Sequence, residues 1–541
     1  MEVMEIKLAI GCARGGASHM PHRLLRSAAA VGTALLLSLP AVSFGAASAV
    51  SAIAWQVASS DAEVDKAFQL ARHSDKPVFL YWGAVWCPPC NQVQATLFSR
   101  ADFAERSRAF IPVYVDGDKP GAQKVAARFK VSGYPTMILF KPDGSEITRL
   151  PGEVDPERYL LTLSAGLNAQ IPVKELVQRG LARQPLTPEQ WRLLGFYSWD
   201  TDEQQVLKTS ELPARLSELS AAVPADLPQV RDRLAFKALA ARTRAKPAPE
   251  KAQVDADRVF VDRLLSRAED AAAMGELLVY YAEPSVKYLA ATPEQRSVLA
   301  AKWDAALEKA ISTGKMSKGE QVDALDARVD LWKFIDRAEN LAPQRQQAVL
   351  REVARLISQT TDRYERQAVV PSAAHVLTSA GLIDDSDALL KAELPRAVAP
   401  YYHMLGLGSN AKKRGNAKTA LDWYEQAWRK SEGPATRLQW GVTYVKEIAD
   451  LAPNEVARMA AAADAVISGL EPRSETFYER NHRSLQRMAK KLGEWQGNDP
   501  ARARVVARMK YQLARTCTRL PAKDPGRVNC ESIFGGGAAI S

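Results

Sequence analysis

Cys87 and Cys90 are the residues whose type and spacing could do chemistry, within Trp86-Cys87-Pro88-Pro89-Cys90. Two cysteines at this spacing can interconvert between dithiol and disulfide. A helix is predicted to begin after Cys87, because proline is tolerated in the first helical turn. The free N–H groups and the positive end of the helix dipole favour a thiolate there. We predict that Cys87 is the nucleophile and that Cys90 resolves the mixed disulfide.

Three other interpretations of this pair are weaker. A structural disulfide at this spacing would be strained and easily reduced. A metal site would require further cysteines or histidines nearby. The six histidines are scattered along the chain, so we predict no metal and no cofactor: His19, His22, His73, His375, His403 and His482. A chance pair of cysteines in a cytosolic protein is the third interpretation. It conflicts with the N-terminal signal pattern, which indicates export.

The elements around the pair alternate between strand and helix. The apolar run 77–82 predicts a buried strand directly before the pair, and 111–115 predicts a second strand. Residues 136–140 and 146–150 flank a Lys-Pro-Asp-Gly turn and predict a hairpin. Amphipathic helices are predicted at 61–73, around Val125, Ala126 and Phe129, and from Asp155 onward. This order indicates an α/β layer fold with a mixed sheet.

Residues 55–168 resemble a domain of the thioredoxin family, which implies the thioredoxin fold for this part of the chain. The motifs that carry the resemblance are Trp86-Cys87-x-x-Cys90, Gly133-Tyr134-Pro135-Thr136 and Gly152. The resemblance implies that Pro135 is cis and faces the disulfide. It also implies that the backbone of Tyr134 pairs with a bound substrate chain, and that Trp86 lines the same groove.

Thr96-Leu-Phe-Ser99 and Phe103 resemble one branch of this family, which includes the periplasmic C-terminal domain of the transmembrane thiol:disulfide interchange protein. This branch implies protein thiols and disulfides as partners, a membrane-embedded or periplasmic electron donor, and the reductase direction. The sequence departs from the family at Tyr81, where many members have a buried aspartate. Solvent or Asp116 remain alternatives for deprotonating Cys90.

The N-terminal residues 1–49 are interpreted as a signal peptide. Arg23 and Arg26 precede an apolar stretch, and Ala47-Ser48-Ala49 fits a cleavage site. Translation starting at Met20 would leave Cys12 out of the protein. We expect an exported, soluble protein in the periplasm; a retained N-terminal anchor is the alternative.

Strand patterns stop after the domain predicted at 50–170, and residues 171–530 are predicted to form an all-helical, α-solenoid-like array. Thr187-Pro-Glu-Gln190 and Thr292-Pro-Glu-Gln295 have the sequence of capping boxes. One stretch has the spacing of a tetratricopeptide unit, although an ordinary helical hairpin would give the same pattern: Leu407, Gly408, Gly415, Ala420, Tyr424 and Ala427. An internal linker is expected near 245–252, and a flexible tail over 531–541.

A second cysteine pair, Cys517 and Cys530, ends the helical region. The intervening residues Pro521, Pro525 and Gly526 predict a turn-rich loop that could bring the two thiols together. A structural disulfide is the expected state in an oxidising compartment. The alternative is that this pair is a substrate of Cys87 and Cys90.

The overall composition narrows the class of function. The 541 residues are 47% apolar and 25% charged, which excludes a largely disordered chain. The net charge of +10 is not gathered into a dense basic run, so a nucleic-acid partner is not expected. The sequence predicts an exported thiol–disulfide oxidoreductase whose helical region recruits partners. The alternative is a helical scaffold or adaptor with a thioredoxin-fold docking module.

Overall fold

A computed structural model of the chain describes residues 53–150, 156–169 and 171–535, and its first unit is built on a five-stranded sheet. Across the sheet the strands run β1-β3-β2-β4-β5. Strand β3 pairs in parallel with β1 and β2, whereas β4 is antiparallel to β2 and β5. The strands are β1 (Gln56–Ala58), β2 (Val78–Gly83), β3 (Ile111–Asp116), β4 (Thr136–Phe140) and β5 (Glu146–Leu150).

Helices cover both faces of this sheet. Because the side chains of a strand alternate between its two faces, each central strand contributes to a hydrophobic cluster on either side. Leu80 and Trp82 of β2 pack in the same cluster as Phe68 and Val125, whereas Phe79 packs in the cluster of the opposite face. The helices of this unit are α1 (Asp61–Ser74), α2 (Pro88–Val93), α3 (Ala101–Arg106), α4 (Ala122–Arg128) and α5 (Pro156–Asn168), with a π-helical turn over Gln94–Phe98.

The predicted α/β fold with a mixed sheet is confirmed, with two additional elements. The sequence analysis missed β1, a three-residue edge strand of mixed polarity that pairs only with β3. It also missed α3, a helix of six residues. Both elements are too short to produce a readable hydrophobic period.

The remainder of the described chain is helical, as predicted. Thr187 and Thr292 each cap a helix with the reciprocal capping-box hydrogen bonds that their sequences predicted. The helices are α6 (Val173–Leu181), α7 (Pro188–Gly195), α8 (Leu212–Ala222), α9 (Pro228–Arg242), α10 (Lys251–Ser266), α11 (Ala268–Ala273), α12 (Gly275–Tyr280), α13 (Ala282–Leu289), α14 (Pro293–Ser312), α15 (Lys318–Asp336), α16 (Pro343–Gln359), α17 (Arg363–Ser379), α18 (Ile383–Glu393), α19 (Pro400–Lys413), α20 (Ala417–Lys430), α21 (Pro434–Leu451), α22 (Val456–Ser468), α23 (Glu479–Gln496), α24 (Pro500–Cys517) and α25 (Pro525–Ser532).

Helices α19 and α20 form the hairpin whose spacing resembles a tetratricopeptide unit. A methyl group at Gly408 would lie 3.1 Å from the ring of Tyr424, so glycine permits the close approach of the two helices. Ala420 and Ala427 are fully buried in the same contact. The assignment to that repeat family stays a prediction.

The predicted segment boundaries also stay predictions, although several can be placed on the structure. The proposed linker falls between the end of α9 and the beginning of α10. The proposed tail overlaps the end of α25 and includes the buried Ser532 and Ile533. The signal peptide, Met20, Cys12 and Gly152 lie outside the described residues.

The helical region starts beside the sheet domain and packs against it again near its C-terminal end. Arg158 of α5 donates to the carbonyl oxygen of Ala273, at the end of α11, over 2.7 Å. Further along the chain, α17 packs on α2, and α23 packs on α4. Among the helices that the structure describes, we find none with the length and apolar character needed to cross a membrane.

Cys517 and Cys530 are joined as a disulfide at the C-terminal end of the helical region. Their Cα atoms are 5.6 Å apart, and the two cysteines are separated by 13 positions. Both side chains are buried in the cluster that also contains Leu513 and Leu520. The bond therefore fastens α25 to the end of α24.

We expect the variant Cys517→Ser/Cys530→Ser to lose about 3 kcal/mol of unfolding free energy, because the unfolded chain is no longer constrained by a loop of this size. Urea unfolding followed by circular dichroism measures the change. The matched control is Cys87→Ser/Cys90→Ser, in which the closed loop is much shorter and the loss should be smaller. Equal losses in the two variants would contradict the prediction.

Candidate functional site

The cysteine pair lies at the end of strand β2, where the chain turns into helix α2. Cys87 is the residue that caps α2, and Pro88 and Pro89 occupy its first turn, as the sequence predicted. The backbone N–H of Cys90 donates to Sγ of Cys87 over 3.2 Å. The two cysteines are disulfide-bonded, with Cα atoms 5.2 Å apart. The sulfur of Cys87 therefore faces the N–H groups at the start of a helix.

Tyr134 and Pro135 lie at the same end of the sheet as the pair. The peptide bond between them is cis, and the next residue, Thr136, pairs with Trp82 of β2. The ring of Tyr134 is 5.4 Å from that of Trp86 and 5.5 Å from that of Trp82. The structure thus brings the predicted groove residues Trp86 and Tyr134 into direct contact beside the cysteines.

The cysteine pair is almost completely enclosed. The exposed fractions are 2% for Cys87, 3% for Cys90 and 5% for Trp86. These three residues belong to a hydrophobic cluster formed mainly by side chains of the C-terminal helices. The helical region therefore covers the motif itself.

Helices α17, α19 and α21 supply aromatic and amide contacts to the motif. Gln367 donates from Nε2 to the carbonyl oxygen of Trp86 over 3.4 Å, and its Oε1 accepts from the N–H of Ala399 over 3.1 Å. Tyr402 stacks on Trp86 with ring centroids 6.1 Å apart, and the ring of Trp440 meets it edge-on at 6.3 Å. The indole of Trp86 is thus packed between the two regions.

Asp118, two residues beyond β3, is the polar centre of this contact. Its Oδ2 accepts from Nε1 of Trp86 over 2.8 Å, and its Oδ1 accepts from the hydroxyl of Thr436. Nη1 of Arg480 lies 3.6 Å from Oδ1, and its guanidinium group lies 4.7 Å from the centre of the Trp86 ring. Burial raises the pKa of Asp118, while the charge of Arg480 and the two hydrogen bonds act in the opposite direction.

Arg480 also reaches the loop that holds the cis peptide bond. Its backbone N–H donates to Oε1 of Gln123 over 3.1 Å, and Gln123 in turn donates to the carbonyl oxygen of Gly117 over 2.8 Å. The hydroxyl of Tyr134 accepts from Nη1 of Arg480 over 3.5 Å. Burial raises the pKa of this tyrosine, and the charge of Arg480 lowers it. One arginine of the helical region therefore contacts two of the three predicted groove residues, Trp86 and Tyr134.

Sequence reasoning missed Asp118 and every contributor from the helical region. Asp118 could have been found, because it follows β3 at the edge of the sheet where the cysteine pair was expected. Arg480, Gln367, Tyr402 and Trp440 carried no signal, because their proximity to the motif is created only by the return of the helical region.

The open question of the proton acceptor for Cys90 concerns Tyr81 and Asp116. Tyr81 is buried, and its ring stacks on Tyr114 at 5.3 Å. Asp116 accepts from the backbone N–H of Asp118 over 3.1 Å, and burial raises the pKa of Asp116. Asp116 is not hydrogen-bonded to Cys90 in the part of the chain that the structure describes, so solvent and Asp116 both stay open as alternatives.

No group of three or more His, Cys, Asp or Glu side chains within the described residues could hold a metal ion. The second cysteine pair, joined at the end of α24, belongs to the same large hydrophobic cluster as Trp86, Cys87 and Cys90.

The sheet domain is similar to known proteins. A family model described as a thioredoxin-like domain matches residues 64–166. The thiol:disulfide interchange protein DsbD of Pseudomonas fluorescens is 32% identical over 111 residues, which are 20% of this chain and 19% of that protein. Thioredoxin of Mycolicibacterium smegmatis is 36% identical over 94 residues, which are 17% of this chain and 81% of that protein.

A solved structure of a DsbH oxidoreductase is 19% identical, with a TM-score of 0.20. The match covers 26% of this chain and 96% of that one. The chain thus spans about a fifth of the DsbD relative. The family model ends at residue 166 and leaves the helical region unmatched.

We expect Asp118→Ala to lower the unfolding free energy by about 3 kcal/mol, because the buried guanidinium of Arg480 would lose its counter-ion. Urea unfolding followed by tryptophan fluorescence measures the loss. The matched control is Asp255→Ala, which breaks the exposed pairs with Lys251 and Arg258 and should leave the unfolding midpoint in place. Similar midpoints for the two variants would show that the Asp118 contact contributes little.

Proposed function

We propose, on the premise that the chain belongs to the thioredoxin family through residues 64–166, that it is an exported thiol–disulfide oxidoreductase acting on proteins through Cys87 and Cys90. The observation that carries the proposal is the position of Cys87 at the start of α2, where the N–H of Cys90 points at its sulfur over 3.2 Å. Such a position favours the thiolate, which is the reactive form. Thiol–disulfide exchange uses this arrangement directly.

In the reductive direction the reaction proceeds in two exchanges. The thiolate of Cys87 attacks one sulfur of a partner disulfide, forms a mixed disulfide and releases the other partner sulfur as a thiolate. Cys90 then loses its proton and attacks Sγ of Cys87, which forms the Cys87–Cys90 disulfide and releases the second partner sulfur. Two electrons pass from the cysteine pair to the partner, and the two partner thiolates each take up a proton.

Trp86, Tyr134 and Pro135 are proposed to form the groove that holds the partner chain beside the pair. Support comes from the contact of the Trp86 and Tyr134 rings at 5.4 Å, directly before the cis peptide bond. Because the relatives are named thiol:disulfide interchange protein and thioredoxin, we infer that the partners are protein thiols and disulfides. The helical region is then proposed to select among them, since its side chains lie on this groove.

We place the protein in the periplasm, supplied with electrons by a periplasmic or membrane-embedded donor. Support comes from the signal pattern in residues 1–49 and from the likeness to DsbD. Fusing residues 1–60 to a reporter that is active only after export tests the location. Reporter activity that depends on Arg23 and Arg26 is expected.

A helical adaptor with a thioredoxin-fold docking module is the second candidate. The low exposure of both cysteines, 2% and 3%, favours it, because a docking module has no need of accessible thiols. An adaptor would form no disulfide-linked complexes, whereas an oxidoreductase lacking its resolving cysteine accumulates them. Trapping with Cys90→Ser therefore separates the two candidates.

The equilibrium of the cysteine pair with glutathione reports the direction of electron flow. We expect a potential near about −270 mV, as for thioredoxin, because the resemblance favours a reductase. Alkylation of samples equilibrated in glutathione buffers, followed by mass spectrometry, gives this value. A potential near about −120 mV would assign the protein to the oxidants instead.

Cys87→Ser should abolish reduction of insulin disulfides, because no thiolate remains to attack. Cys90→Ser should accumulate mixed disulfides that are visible on non-reducing gels, because the second exchange cannot occur. Cys517→Ser/Cys530→Ser is the control and should retain turnover. Faster alkylation of Cys90 than of Cys87 in the reduced protein would contradict the assigned roles.

A further inference from the structure

We infer that the helical region acts as a lid over the redox pair, and that the lid must be displaced before a protein partner can react. The lid consists of the helices whose residues contact the motif or helix α2, namely α15, α17, α19, α21 and α23. This inference rests on the proposed function and concerns the regulation of the same site.

Burial of the sulfur atoms is the first argument. Exchange requires a partner sulfur to reach Sγ of Cys87 and requires the leaving sulfur to depart on the far side. A side chain that is 2% exposed cannot admit a polypeptide disulfide. The covered form is therefore unreactive toward protein disulfides, and reaction needs a second, open form.

The identity of the covering residues is the second argument. Gln367 hydrogen-bonds the backbone of Trp86 within the motif, at 3.4 Å. Tyr402 stacks on the indole, and Arg480 lies over both that ring and the ring of Tyr134, at 4.7 and 5.4 Å. These side chains contact two of the three residues proposed to receive a partner chain. Lid and partner consequently compete for the same surface.

The chemistry of the contact is the third argument, because it allows separation. The ion pair between Asp118 and Arg480 is buried, and its Coulomb attraction is largely offset by the loss of hydration of both charges. When the lid opens, water solvates both groups again. Such a polar junction closes with a smaller free-energy gain than an apolar one of equal area.

Two glycines show how closely the lid fits. A Cβ atom at Gly433, just before α21, would lie 2.7 Å from Cβ of Asp118. A Cβ atom at Gly319, in the first turn of α15, would overlap the side-chain amide of Gln92, which donates to the hydroxyl of Ser317. This amide is the end of a flexible side chain and can move aside, so only a residue as large as tryptophan at Gly319 is expected to push α15 away from helix α2.

The test is Gly319→Trp, a wedge that favours the open form, compared with Gly493→Trp. Gly493 is exposed in α23, and a Cβ there meets no atom within 4 Å. In the reduced full-length proteins, we expect a bulky maleimide to label Cys87 about tenfold faster in the wedge variant, because the labelling rate follows the open fraction. Wild type and Gly493→Trp should label slowly and at equal rates.

Two outcomes would overturn the lid. One is fast labelling of wild type, comparable with that of unfolded protein in urea. The other is an unchanged rate in a folded wedge variant. If Gly319→Trp loses the helical circular dichroism signal, Tyr402→Ala is used instead. This variant removes one stacked ring without leaving an unpaired charge. It must also raise the rate at which maleimide labels Cys87.

Equilibration of the pair with a small dithiol separates failure of the lid from failure of the proposed function. Dithiothreitol is small enough to follow rare openings, so the redox pair should equilibrate with it in every variant that retains both cysteines. Faster labelling of the wedge variant, with no reduction of insulin by any variant, would support the lid and contradict the proposed oxidoreductase function. Insulin reduction at equal rates in wild type and wedge would remove the lid alone.

Discussion

The buried carboxylate of Asp118 is the interaction on which the arrangement of the two regions depends. It holds the indole of Trp86 by one oxygen, and by the other it meets Thr436 and Arg480 of the helical region. A carboxylate can remain buried only when its oxygens are hydrogen-bonded and its charge is paired. In the covered form, the helical region therefore supplies the partners of a buried group beside the redox motif.

Because of this contact, the site contains residues of both the sheet domain and the helical region. The sheet supplies reactive sulfur atoms and the cis peptide bond, because three strand ends and a helix start meet at one edge. The helical region supplies the environment of those sulfurs, from the stacked ring of Tyr402 to the guanidinium of Arg480. The reactive sulfur atoms belong to two neighbouring cysteines, whereas access to them depends on helices that are distant in the sequence.

Local sequence patterns predicted the sheet domain well. The hairpin over 136–150 was predicted at its observed strands, because its turn residues and apolar runs are contiguous, and Cys87 caps a helix as its prolines indicated. The enclosure of the motif was not predicted. Gln367 and Trp86 are 281 positions apart, and the surfaces that meet there are ordinary helix faces in the sequence. Periodicity identifies the buried face of a helix but not its partner.

The helices that cover the motif are synthesised long after the motif itself. Gln367, the earliest in sequence of the helical-region residues described above that contact Trp86, follows it by 281 positions, so during vectorial synthesis the cysteine pair emerges long before these contacts can form. At roughly 5 to 20 residues per second, this interval lasts roughly 15 to 55 seconds. During that interval a nascent chain exposes an uncovered thiol pair to every oxidant and isomerase that it meets. The pair can therefore become oxidised before the helical region covers it.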